Sequence, residues 1–179
     1  MIKINIGCGW RNFGKDWIHI DGGDYDHLDY NNITKLEFKN ESVDLIYASH
    51  VIEYFDRDQV RTLLEEWKRV LVDQGILRIA VPDFFQIAKL YNENKYPLDN
   101  FLGPMYGKML MGDQVIYHRT IYDYISIKKL LSDIGFTRIS KYDWRDTVHS
   151  EFDDHSQAYL PHMDKESGVL ISLNVECAK

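Results

Sequence analysis

At 179 residues the chain falls inside the usual size of one domain, about 100–200 residues, and is too short for two full ones. Its composition, 45% hydrophobic and 27% charged, supplies enough apolar surface to offset ordering entropy, so the chain is expected to fold alone. A formal net charge of −7 without any basic stripe argues against a nucleic-acid partner and against an acidic polymer as substrate, while leaving a local basic pocket open.

The two cysteines, Cys8 and Cys177, lie at opposite ends of the chain with no CxxC spacing. That pattern predicts a reducing, cytoplasmic compartment, no disulfide framework and no cysteine zinc site. The opening MIKINIGCGW enters a strand pattern at once, and no segment approaches the 18 or so apolar residues of a membrane span. The expectation is a protein neither exported nor membrane-spanning, with no internal repeat.

Taken in chain order, residues 2–6 form an apolar run ended by Gly7-Cys8-Gly9, and residues 17–20 a second ended by Asp21-Gly22-Gly23. Both read as buried parallel strands that stop at glycine-rich turns. A weaker strand is placed at 25–30, a clear one at 43–48 and another at 75–81. Before the last of these, Val60, Leu63, Leu64, Trp67, Val70 and Leu71 repeat at helical spacing, with Asp56 and Gln59 as a capping box and Gly75 as the expected stop. Phe84, Ile87, Ala88 and Tyr91 give a second helical stripe capped by Asp83, and Ile127, Leu130, Leu131 and Ile134 a third, stopped by Gly135. A strand at 136–142, a polar stretch through about Ser167 and a closing strand at 169–177 follow. This order predicts an α/β fold: a Rossmann-like, doubly wound sheet, mostly parallel with an antiparallel closing strand and helices on both faces. The whole chain, 1–179, reads as a single domain. Residues 94–119, rich in glycine and aromatic side chains, read as an insertion over the C-terminal edge of the sheet, and residues 144–167 as a long loop.

Ligands of open α/β sheets bind outside the carboxyl ends of the strands, which fixes the candidate positions. Gly7 and Gly9 let a backbone approach a ligand and expose N–H groups. Asp21 ends the second strand, where a carboxylate can accept both hydroxyls of a ribose, and Ser49 and His50 follow the strand at 43–48. A dinucleotide fingerprint would need glycine at position 12, where Asn12 stands.

The segments INIGCG, WIHID, SVDLIYASHVIEYF and EWKRVLVDQGILRIAVPDF resemble the class I S-adenosylmethionine-dependent methyltransferases, specifically a group of short bacterial members, and LLSDIGF before a closing strand pair resembles that family's final elements. The resemblance implies S-adenosylmethionine as cofactor, with the backbone of Gly7, Cys8 and Gly9 at its amino-acid end and Asp21 at its ribose. It places Asn32 and Ile33 near the adenine, and Ser49 and His50 near the methionine part and the methyl group. This chain departs from the family in three places. Only residues 10–16 link the glycine loop to the second strand, room for a loop where relatives have a helix; Asn32 stands where many have an acid, still able to accept from the adenine amino group, and Tyr54 where many have a histidine.

A protonated acceptor needs a base, and histidine is the first place to look. His19, inside a strand, reads as structural and His27, on a polar turn, as solvated; His50 and His118 are the catalytic candidates. Tyr117, Arg119 and His155 are candidates for binding the acceptor, Arg119 either as an anion clamp or as a plain surface ion pair. Trp10, Trp144 and Tyr159 join Tyr117 as loop aromatics able to line an acceptor pocket. His149, His155 and His162 match no compact ligand motif, so no metal site is assigned, and the polar loop that carries them reads better as a lid or acceptor-binding loop. The leading reading is methyl transfer to a small-molecule acceptor. The gene settings typical of the resembled family incline that acceptor toward a saccharide. The alternative is a non-catalytic, methyltransferase-like partner subunit.

Overall fold

A computed structural model describes residues 1–179. Its strands β1 (Lys3–Ile6), β2 (Ile18–Ile20), β3 (Val43–Ser49), β4 (Leu71–Pro82), β7 (Thr137–Lys141) and β10 (Ser172–Ala178) form one sheet in the order β2-β1-β3-β4-β10-β7. The first four strands are mutually parallel, and β10 runs antiparallel to both of its neighbours. The predicted fold class is therefore the observed one, including the closing strand.

Strand alternation sends Ile4, Ile6, Ile46, Ala48, Leu77, Ile79, Leu173 and Val175 into the main core. Helices α1 (Arg57–Val70) and α4 (Tyr124–Ile134) cover that side and pack on each other. Val60, Leu63, Leu64, Trp67 and Val70 are the buried stripe of α1, as the spacing predicts. Its expected glycine stop is not used: Leu71 already belongs to β4, and the left-handed residue is Gln74 (φ +61°). The terminal carbonyls of α1 instead accept hydrogen bonds from Glu41 N and Ser42 N, and that of Leu71 from Lys179 Nζ at 2.8 Å, so no glycine is needed. Helix α4 ends as predicted, at Gly135 in the left-handed region.

The opposite face differs from expectation, because no α-helix covers it, only a short 3-10 turn at His155–Gln157. Residues 10–16 are too short to form one, and the whole connection 21–42 is loop. Phe13, Trp17, Leu45 and Tyr47 cluster there, with Phe152 stacked on Phe13 at 4.3 Å and His149 on Tyr47 at 3.9 Å between ring centroids. The segment expected as a lid thus contributes residues 149–157 as a layer on the sheet. Hydrogen bonds hold it: Tyr47 Oη donates to Asp154 Oδ2 at 2.5 Å, Ser156 N to Asp154 Oδ1 at 2.8 Å, and Asn174 Nδ2 to Ser156 O at 2.9 Å. Burial pushes the His149 imidazole down to about 3, so it stays neutral. Removing the Tyr47 hydroxyl leaves buried Asp154 short of a donor, and Tyr47→Phe is expected to cost about 1–3 kcal/mol in urea unfolding. An unchanged midpoint would show that this bond does not hold the layer.

Three smaller expectations are corrected. The weak strand at 25–30 reduces to one bridge between Ile20 and Tyr30, because Asp29 turns its carboxylate onto His19 N at 2.8 Å and interrupts a regular ladder. In α2 (Phe84–Asn92) the buried positions are Ile87 and Leu90, facing Phe101, Leu160 and Ile171, whereas Phe84, Ala88 and Tyr91 are exposed. His27 is half-buried, its Nε2 3.7 Å from Cys8 Sγ. The insertion folds as α3 (Asp99–Tyr106) and a hairpin of β5 (Met109–Met111) with β6 (Gln114–Ile116). The short strands β8 (Tyr159–Leu160) and β9 (Val169–Leu170) pair with each other. No helix is long and apolar enough to cross a membrane.

Candidate active site

The chain leaves β1 through Gly7 (φ +69°) and Gly9 (φ +56°), backbone that disfavours side chains. Gly7 N donates to Ile20 O at 2.7 Å, and a Cβ on Gly7 would lie 2.2 Å from Val51 Cγ2. Nothing lies within 4 Å of the corresponding point at Gly9. Asp21, at the end of β2, ties the two loops together by accepting from Gly9 N at 2.8 Å and from Gly23 N at 2.7 Å. Cys8 turns inward, where burial and the nearby Asp21 charge push its thiol up to about 12. Only its backbone is available to a ligand.

At the end of β3, Ser49 points to the loop-covered face, its Oγ 3.5 Å from Asp154 Oδ1. His50 adopts φ +56°, with its N–H donating to Ala80 O at 2.8 Å, and its ring is 12% exposed. Its Nδ1 lies 3.3 Å from Oε1 of Glu53, a carboxyl that is fully buried and has no hydrogen-bond partner. His118 reaches the same oxygen from the other side, with Nε2 at 3.8 Å, while its Nδ1 is 3.1 Å from Pro104 O. Burial raises the Glu53 carboxyl to about 8 and lowers both imidazoles. Tyr54 packs edge-on to His118 and donates to Gly107 O at 2.7 Å, pinning the insertion beside the site.

The ends of β1, β2 and β3 and the β5–β6 hairpin enclose one cleft of about 630 Å³. Seven of the sequence candidates line it: Gly7, Asp21, Asn32, Ile33, His50, Tyr117 and Arg119. Cys8, Gly9, Ser49, His118 and His155 do not; His118 stands behind Tyr54 and Glu53, and the exposed His155 has its ring 5.1 Å from that of His50. Among the loop aromatics only Tyr117 reaches the cleft. Trp10 is exposed, and Trp144 donates to the buried Tyr159 at 3.3 Å within the 144–167 segment. His162 is exposed and His149 is buried on the far face, so the late histidines do not converge.

Residues 14–79, from before β2 to the middle of β4, match the family model described as a methyltransferase domain. No curated protein matches the sequence. Among solved structures, an S-adenosylmethionine-dependent methyltransferase from Archaeoglobus fulgidus superposes with a TM-score of 0.59 at 12% identity, over 99% of this chain and 85% of its own. One from Methanosarcina mazei gives 0.56 at 18% identity, over 99% and 91%. The 1,6-didemethyltoxoflavin-N1-methyltransferase of Burkholderia thailandensis, solved with 1,6-didemethyltoxoflavin and S-adenosylhomocysteine, gives 0.57 at 12%, over 99% and 70%. The chain thus has the fold of these methyltransferases, and its residues 14–79 match the methyltransferase-domain model. Two of these neighbours are S-adenosylmethionine-dependent by name and the third was solved with S-adenosylhomocysteine, matching the cofactor that the sequence resemblance implied.

On this fold, the departure at position 32 acquires physical content. Asn32 Oδ1 already accepts from Thr34 N and Thr34 Oγ1 at 2.9 Å and from Lys35 N at 3.1 Å, so only its amide N–H₂ remains to meet a ligand. That removes the acceptor role the sequence left to it. Arg119 is held at the rim by Asp56 Oδ2 at 3.1 Å and Gln59 Oε1 at 3.3 Å, the surface-pair reading of this residue. Sequence reasoning missed Glu53 and the hairpin methionines Met109 and Met111. The available signal for Glu53 was one acid inside the otherwise apolar run following His50.

Proposed function

We propose that this chain works as a single-domain methyltransferase that moves the methyl group of S-adenosylmethionine to a hydroxyl of a small-molecule acceptor, a saccharide-type molecule being the leading candidate. One observation carries the reading: the loops after β1, β2 and β3 converge on a single open cleft. The toxoflavin enzyme's small-molecule acceptor supports the size class, and the net charge of −7 speaks against a nucleic acid. Two buried, free cysteines suit a reducing, cytoplasmic setting.

The cleft residues fit the cofactor. The open space over Gly9 receives the amino-acid end; the N–H groups of Gly7 and Gly9 are already given to Ile20 O and Asp21 Oδ2, so the loop contributes close approach of its backbone and not those two donors. Asp21 retains outward lone pairs for the ribose hydroxyls, Ile33 offers an apolar surface to the adenine, and Asn32 donates from its amide to a ring nitrogen. When bound, the cofactor supplies an electrophilic methyl group, so the protein's work is orientation and proton removal. His50 faces the transfer point, with Ser49 and His155 supporting its loop, and His118 assists from behind. Tyr117 receives the acceptor at the rim, beside Arg119, which its pairing with Asp56 and Gln59 holds in place.

Calorimetry with S-adenosylmethionine, S-adenosylhomocysteine and NAD side by side tests the reading. Both sulfur nucleosides are expected to bind and NAD not; at about a hundred times the Kd, binding raises apparent stability by about 2.7 kcal/mol. Binding of NAD alone would overturn the assignment.

A further inference from the structure

We propose that Glu53 is a positioning residue which joins the His50 and His118 rings into one proton-sharing cluster, and that this cluster takes the proton of a hydroxyl acceptor during methyl transfer. The inference rests on the methyl-transfer reading for its purpose but on the residues themselves for its geometry. Glu53 is fully buried and neither of its carboxyl oxygens has a hydrogen-bond partner, yet both imidazoles approach its Oε1, at 3.3 Å from His50 Nδ1 and 3.8 Å from His118 Nε2. An unpartnered carboxyl in such a place is costly unless protons are shared with it.

The tautomers follow from the partners. Pro104 O can only accept, so His118 Nδ1 carries its hydrogen and Nε2 turns a lone pair toward Glu53. A proton must lie between those two atoms to avoid lone-pair repulsion. His50, a residue of the cleft lining, meets the same oxygen through Nδ1, which favours Nδ1–H and leaves the buried, unpartnered Nε2 as a bare acceptor. In the transfer step the acceptor O–H bond breaks and its proton goes to His50 Nε2. The freed electron pair forms the oxygen–methyl bond, and the sulfur keeps the pair of the bond that breaks. The His50 Nδ1 proton then passes to Glu53 and on toward His118.

The other titratable groups facing the cluster are His155 and Arg11, which disfavour a charged His50, together with Tyr54 and Tyr122, which feel the Glu53 charge, and Arg57 beside Tyr122. The raised Glu53 carboxyl, about 8, means that the cluster holds its extra proton at neutral pH and releases it as pH rises. Its capacity to accept a proton, and with it the rate, therefore increases through that range, as a macroscopic property of the group.

The test needs no acceptor: nitrogen-15 spectra of the histidine rings in the full chain, followed between about pH 5 and pH 10. The proposal expects His118 Nδ1 protonated throughout and both rings shifting in one shared step near pH 8. In Glu53→Gln that step disappears and both rings stay neutral. Two independent titrations near about 6.5, the same in both proteins, would overturn it; the wild-type spectra alone decide this even where the variant fails to fold. S-adenosylhomocysteine calorimetry runs alongside, because loss of binding in the wild type would remove the methyl-donor reading while leaving the shared step intact. Once an acceptor is available, Glu53→Gln is expected to lower kcat roughly a hundredfold with KM unchanged and to abolish the alkaline rise.

Discussion

Asp21→Ala is expected to weaken S-adenosylhomocysteine binding by at least about a hundredfold, a loss of about 2.7 kcal/mol. The side chain does two jobs at once. Its oxygens accept from Gly9 N and Gly23 N, and each hydrogen bond to a charged group contributes about 1.5–3 kcal/mol, so the variant releases both loops that form the cleft wall. It also removes the only carboxylate lining the cleft, and with it the ribose anchor. Asp21→Asn serves as the control, since its single carbonyl oxygen can keep one of the two loop bonds but its amide opposes the other. Calorimetry on both variants reads the result, and an Asp21→Ala affinity equal to wild type would take Asp21 out of the site.

The two glycines of the first loop are expected to respond unequally to the same change. Gly7→Ala puts a methyl group 2.2 Å from Val51 Cγ2 in a left-handed backbone. Overpacking at about 1–3 kcal/mol and backbone strain at about 1–2 kcal/mol together predict a loss of roughly 2–5 kcal/mol in denaturant unfolding. Gly9→Ala meets no atom within 4 Å, so backbone strain alone applies, about 1–2 kcal/mol. Its methyl group occupies the space given to the ligand, and the larger effect there is on binding. Equal stability losses in the two variants would show that Val51 yields easily.

How far the sequence carries is visible in particular elements. β1 was legible because its apolar run ends at a glycine, β3 because its run is dense in buried apolar residues, and α1 because its apolar residues repeat on one helical face, which the burial of Trp67 and its neighbours follows. The glycine loop, Asp21 and His50 were legible because strand ends are where this architecture binds ligands. The loop-covered face was not. Its layer is held by Tyr47 reaching Asp154 across 107 residues and by Asn174 reaching Ser156, contacts that leave no trace in periodicity. Asp154 and His149 read as solvated loop residues and are buried, because the sheet has no α-helix to cover that side. Asn32 illustrates a subtler limit: its position at the cleft was readable, but not the turn that occupies its oxygen. Glu53 shows the same for chemistry, since its importance arises from His118, 65 positions away, being folded back onto it.

A crystal structure of the full chain with S-adenosylhomocysteine examines the central claim most directly. The account predicts the ribose hydroxyls on the Asp21 carboxylate, the amino-acid end over Gly9 and the sulfur at the His50 end of the cleft. A ligand seated instead in the smaller hollow of about 380 Å³ around Tyr25, Tyr30 and Lys35, clear of Gly7, Asp21 and His50, would contradict it.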